Sequence, residues 1–158
     1  MFGCSDNKIV AYDSTTGEIT QRALRRAVDL LAANEDAHVC IFVNFVSEAD
    51  LWGSALEKML AAELVRASVT TINGDMDKNE KFTFILLFTS RVRLRGLRPR
   101  YLIATAATNT GIDQPKCTMV LRLGVPCTIV ELLQERGRLR GRGVFSIYSD
   151  WKTMVKLV

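Results

Sequence analysis

What this chain of 158 residues lacks narrows its reading first. No Gly-Lys-Ser or Gly-Lys-Thr occurs in it, so it carries no phosphate loop of the kind whose backbone N–H groups and lysine cradle a nucleotide. Histidine is reduced to His38, which has no partner at metal spacing. That argues against a metal site, because zinc needs clustered ligands. Cys4, Cys40, Cys117 and Cys127 form no CxxC pair. Scattered this way, with Cys40 and Cys117 inside apolar runs, they read as reduced structural thiols. No run approaches the roughly 18 apolar residues that span a bilayer, and residues 1–7 lack the basic-then-apolar layout of a secretory signal. The expectation is a soluble, intracellular chain with no membrane partner.

What is present is a globular composition, 48% hydrophobic and 24% charged. The length suits one domain, read here as residues 21–158 after a turn-rich, loosely packed lead-in over residues 1–20. The net charge of +4 is unevenly spread. Between Arg91 and Arg142, ten arginines and Lys116 face Asp113, Glu131 and Glu135, a balance of +8 that leaves −4 for the rest. Such asymmetry points to a surface that meets an anion, with nucleic-acid backbone or nucleotide phosphate as the usual partner.

Helical spacing over 21–33 follows Thr20 as a cap, and Val39 to Val43 reads as a strand buried on both faces. Ser47 and Asp50 suggest a capping box for a helix to about Leu64. A short strand is expected over 69–72, then a helix over 77–88 with Phe82, Ile85, Leu86 and Phe88 inward. Strands over 101–104, 117–123 and 144–148 follow. Between the last two, Thr128 and Glu131 cap a helix whose apolar face is Ile129, Val130, Leu132 and Leu133, and Asp150 can cap a final short helix. Strands alternating with helices imply an α/β fold, a three-layer α/β/α arrangement around a mostly parallel sheet.

Ligands of such sheets bind outside the carboxyl ends of the strands. The loops that follow those ends run over 44–47, 73–77, 105–115 and 124–128. The stretch from Thr105 to Thr110 is nearly all small or hydroxylated, which lets backbone approach a sugar-phosphate strand. Asp113 could accept from a ribose hydroxyl or be a solvated turn residue. The sharper signal is Gln134-Glu135-Arg136-Gly137-Arg138-Leu139-Arg140-Gly141-Arg142-Gly143, which sets arginines on a glycine-rich turn past a helix. Arginine is always charged and its planar fork matches phosphate oxygens.

Taken in order, these segments resemble superfamily-two helicases. Ala104-Thr105 with Gly111-Ile112-Asp113-Gln114-Pro115 looks like motif V, and Gln134-x-x-Gly137-Arg138 like motif VI. Ile41-Phe42-Val43-Asn44 is similar to motif IV, and Ile72 to Met76 occupies the place of the glycine turn between motifs IV and V. Residues 120–134, with Pro126 ahead of Gln134 and Glu135, are most similar to RecQ-like DNA helicases. Ser47-Glu48-Ala49-Asp50 only superficially resembles the acidic Mg2+ motif, since Ser47 replaces its first acid. The resemblance implies a second RecA-like domain, half of an ATP-dependent helicase motor whose first RecA-like domain holds ATP with Mg2+. Gly111, Asp113, Gln134 and Arg138 would then face nucleotide, Arg138 as one of the catalytic arginines, with Arg140 or Arg142 near the γ-phosphate. Asn44, Gly74, Thr105 and Thr108 would track one strand, single-stranded DNA ahead of RNA, in a DNA repair or recombination setting. The location implied is the nucleus of a eukaryote or otherwise the cytoplasm. In the family, motif VI places its second arginine three residues after the first. Here that position is Gly141, flanked by Arg140 and Arg142, which leaves both open. A non-catalytic RecA-like binding module and a double-strand translocase are the competing readings. The isolated chain is expected to lack ATPase activity.

Overall fold

The computed structural model describes residues 6–12, 16–34, 37–73, 75–89, 98–105, 117–124 and 128–150. In chain order they form β1 (Asp6–Tyr12), α1 (Thr16–Ala33), β2 (Val39–Val43), α2 (Val46–Ala62), β3 (Ala67–Ile72), α3 (Lys78–Thr89), β4 (Arg98–Thr105), β5 (Cys117–Leu123), α4 (Ile129–Arg136) and β6 (Leu139–Asp150). Among the described residues six strands make one sheet in the order β1-β6-β5-β2-β4-β3, and every pairing is parallel.

Burial on both faces follows from the strand sequences. All five residues of β2 are buried, as its unbroken apolar run requires of a central parallel strand. Val39, Ile41 and Val43 join Ala23, Leu24, Ala27, Val28, Leu56 and Leu60, so α1 and α2 cover one face. Cys40 and Phe42 point the other way and pack with Ile85, Phe88, Val120 and Phe145, with Leu132 at the margin, so α3 and α4 cover the second face. The three-layer α/β/α architecture expected from the alternation is the one observed.

Several local expectations differ from the structure. Within the stretch read as a lead-in, Asp6–Tyr12 pairs with β6 as an edge strand, and α1 begins at Thr16, leaving Thr20 buried inside the helix instead of capping it. Phe45, whose side chain makes no capping hydrogen bond, is the N-cap of α2, so the Ser47–Asp50 box does not form. Glu48 instead reaches back to the Phe45 backbone. In α3, Ile85 and Phe88 are buried but Phe82 and Leu86 are exposed, because the run from Phe82 to Phe88 is apolar around the helix and hides its phase. Ile129, Val130 and Leu133 of α4 are exposed as well, leaving Leu132 as the half-buried member of the expected face. Thr128 does cap α4, accepting from the Glu131 N–H at 3.1 Å. The expected final helix after Asp150 lies outside the described residues.

Candidate nucleic-acid and nucleotide interface

The sheet register decides which residues meet. Val43 of β2 lies beside Thr105 of β4, and Ile72 of β3 beside Ala104. Leu123 of β5 lies beside Tyr148 of β6. Asn44, Asn73, Thr105 and Gly124 therefore stand at one carboxyl edge. The chain leaves β2 for β3 across one face and β5 for β6 across the other, so strand order reverses between β2 and β5. A crevice at such a switch point is where open α/β sheets bind ligands. Asn44 and Gly124 border it.

Local chemistry shapes these loops. Gly124 adopts φ 87°, a left-handed conformation that suits glycine, and a Cβ there would lie 3.0 Å from Asn44 Nδ2. Its N–H donates to the Tyr148 carbonyl at 2.8 Å. Asn73 Oδ1 accepts from the Asp75 N–H at 2.9 Å, an Asx turn that bends the chain out of β3. Asp77 and Glu80 then exchange hydrogen bonds at 2.8 and 3.3 Å, a capping box that starts α3. Thr105 is buried, so its backbone and not its hydroxyl borders the edge.

The arginines lie elsewhere. Cys117, the first residue of β5, pairs with Leu139, so β6 enters the sheet at the amino edge. The turn past α4 is confined to Gly137 and Arg138, while Arg140, Gly141 and Arg142 belong to the β6 backbone. The glycine-rich turn expected over 137–143 is thus mostly strand. The ladder absorbs it through an irregularity between Cys117 and Met119, where Gly143 takes a position whose Cβ would meet Thr118 O at 2.8 Å. Arg138 is half-buried, and its backbone is fixed at both ends: its N–H donates to the Glu135 carbonyl at 3.1 Å and its carbonyl accepts from Cys117 N–H at 2.6 Å. Gln134 is exposed on α4. The residues expected to track a strand and those expected to meet phosphate therefore occupy opposite edges, separated by β5, roughly 20 Å at the rise of an extended chain. Gly74, Thr108, Gly111 and Asp113 lie outside the described residues.

Between the edges sits a buried charged cluster that motif reading missed. Arg122 and Glu135 have fully buried side chains and form an ion pair, Nη1 to Oε1 at 3.0 Å. Arg122 Nη2 donates to Asn44 Oδ1. Glu135 Oε2 accepts no hydrogen bond among the described residues. Burial pushes the Glu135 carboxyl up to about 7, outweighing the Arg122 charge that pulls it down. Glu48 is also raised by burial, again opposed by Arg122. The available signal was a lone arginine inside the apolar run Val120-Leu121-Arg122-Leu123, since a buried charge demands a partner. Nearby, the free thiols of Cys40 and Cys117 are buried, and burial raises the Cys40 thiol, as befits inert cysteines. His38 touches Arg100 Nη1 through Nε2 at 3.1 Å.

Residues 22–142 match the model of the helicase conserved C-terminal domain. Among curated proteins, Dicer of Schizosaccharomyces pombe is 30% identical over 143 residues, covering 86% of this chain and 10% of its own length. Domain 2 of the DEAD-box helicase Mss116p, bound to an RNA duplex, superposes with a TM-score of 0.76 at 17% identity, over 92% of this chain and 55% of that one. A Dbp5 variant from S. cerevisiae, bound to RNA and ADP BeF3, gives 0.68 at 18% identity, over 96% of this chain and 37% of its own. The chain thus spans a tenth of the curated relative's length and about half or less of these solved chains.

Proposed function

Because the chain belongs to the family of helicase conserved C-terminal domains, we propose that it works as the second RecA-like half of an ATP-dependent motor. The observation that carries this reading is the sheet itself. One edge gathers Asn44, Asn73, Thr105 and Gly124 at a switch point, and the other anchors Arg138 at the end of α4. The first edge suits one nucleic-acid strand, held through backbone and small polar groups without base reading. Asn44 and Thr105, with Gly74 and Thr108, are the residues assigned to it.

The arginine end suits nucleotide held by a separate domain. Bound ATP with Mg2+ supplies the phosphoryl group to be cleaved. Among the described residues no cluster of three acids, histidines or cysteines could hold a metal. The metal and phosphate loop are assigned to the first RecA-like domain. This chain contributes positive charge, with Arg136 in the last turn of α4 and Arg138 just after it. An arginine reaching phosphate from a neighbouring domain stabilises developing charge and is worth ~10³–10⁵ in rate. Arg138 is assigned to nucleotide with Gly111, Asp113 and Gln134, and Arg140 or Arg142 to the γ-phosphate.

For the nucleic acid, RNA is the favoured substrate. Support comes from the Mss116p and Dbp5 structures, which carry RNA at the same fold. The second reading, a RecQ-like DNA motor, draws on the order of Pro126, Gln134 and Glu135. Titrating fluorescent single-stranded RNA and DNA of one length into the chain at two salt concentrations separates them. The proposal expects weak, salt-sensitive binding that is tighter for RNA and weakened by Asn44→Ala. Tighter DNA binding selects the RecQ-like reading, and no binding to either rejects the motor half.

A further inference from the structure

One guanidinium links a loop at one edge of the sheet to the helix that leads to the other. Arg122 leaves β5 near its carboxyl end, and its Nη2 donates to Asn44 Oδ1 in the loop after β2. Its Nη1 donates at 3.0 Å to Glu135, in the last turn of α4. Glu135 also holds the arginine turn, because its carbonyl accepts from the Arg138 N–H at 3.1 Å. The side chains of Arg122 and Glu135 are both fully buried.

Stability alone gives little reason for such a pair. Desolvating two charges costs several kcal/mol per ion, and well-packed apolar residues of similar volume usually serve as well or better. The geometry supplies a reason that apolar packing does not. A guanidinium is a rigid planar fork, so its two Nη atoms cannot move independently. A shift of Asn44 turns the whole plane, and the plane carries Glu135 with it.

We propose that Arg122 is a positioning residue that couples the strand-gripping loop at Asn44 to the arginine turn at Gly137–Arg138, so that nucleic acid engaging the first orders the second. The proposal rests on reading the chain as a motor half. It adds to that reading the link by which one edge senses the other.

Hydrogen exchange of the whole chain, with and without a saturating single-stranded oligouridylate, tests it. The reporters are the Gly137 and Arg138 amides, which donate to the Leu133 and Glu135 carbonyls at 2.9 and 3.1 Å. Wild-type protection at both amides should rise by about fivefold or more, the low end of ordinary coupling between sites. Arg122→Met with Glu135→Met removes both charges without stranding either. That double variant should still bind the oligonucleotide within about tenfold of wild type, yet lose the rise. Arg122→Lys, which keeps a charge for Glu135 but not the fork, should lose it too and serves if the double variant fails to fold. A rise that persists in either variant overturns the coupling. Binding by the wild type with no change at Gly137 and Arg138 overturns it as well while sparing the motor-half reading. Absence of binding by the wild type removes that reading and the coupling together.

Discussion

At the scale of single residues, Arg122 and Glu135 form a fully buried ion pair. Removing one partner of a buried pair strands the other charge, at a cost of about 3–5 kcal/mol. Arg122→Ala should therefore destabilise the chain by that much in urea unfolding, while Arg122→Met with Glu135→Met should come close to wild type. Equal destabilisation by single and double variants would show that packing volume, not charge, governs the site. Glu135 also imposes a pH signature. Its folded value, near 7, lies above the ordinary 4.5, so between these values the native state holds a proton that the unfolded chain has released. Stability should consequently fall as pH rises through that window, by on the order of 3 kcal/mol from this group. The charges facing it are Arg122 from β5 and Glu131 from its own helix, with Arg138 following in the turn. Glu135→Gln should flatten the wild-type slope between pH 4.5 and 7, and an unchanged slope would place the carboxyl in its normal range. The arginine half of this pair left a signal that was not taken up, a charge inside an apolar strand. Its partner left none, because Glu135 looked like one more solvated residue of a basic helix end, and only the docking of α4 on the sheet turns it inward.

At the scale of elements, caps were legible where a side chain had nothing better to do. Thr128 and Glu131 make their expected contact, and α3 starts at Asp77 through its exchange with Glu80. The α2 start was misread because Ser47 is the second residue of a helix whose N-cap is Phe45. Apolar faces were less legible than caps. Continuous apolar runs in α3 and α4 carry no phase, so the short helices dock by whichever side meets the sheet, leaving Phe82, Leu86, Ile129, Val130 and Leu133 exposed. This difference can be measured. Thr128→Ala should cost about 1 kcal/mol through the lost cap. Ile129→Lys beside it should stay within about 0.5 kcal/mol. Phe88→Ala, at the buried contact of α3, should cost about 3–5 kcal/mol. A large loss for Ile129→Lys would mean that the face of α4 is covered. The β1–β6 side of the sheet was the hardest part to foresee. β1 is built from turn-forming residues at its start, and β6 runs back through a segment whose glycines signalled a loop.

At the scale of the molecule, the alternation of strands and helices was enough to give three layers and a parallel sheet. Strand order was not readable from any local pattern, and it is strand order that matters for function. Placing β5 beside β2 brings Arg122 to Asn44, and running α4 back along the sheet brings Glu135 to Arg122. The same order sets Leu139, and with it the start of the arginine segment, at the edge opposite Asn44 and Thr105, so in the proposed motor half the link between the two sites runs through the core. On the proposed reading, the nucleotide site is complete only when another domain brings phosphate to the arginines. The most direct measurement is RNA-stimulated ATP hydrolysis by this chain alone, by a phosphate-loop RecA-like domain alone, and by the two joined. The account predicts negligible turnover from either piece, turnover from the joined pair, and loss of at least about 10³-fold in that turnover on Arg140→Ala with Arg142→Ala. Hydrolysis by this chain alone, or full activity of the joined pair without both arginines, would contradict it.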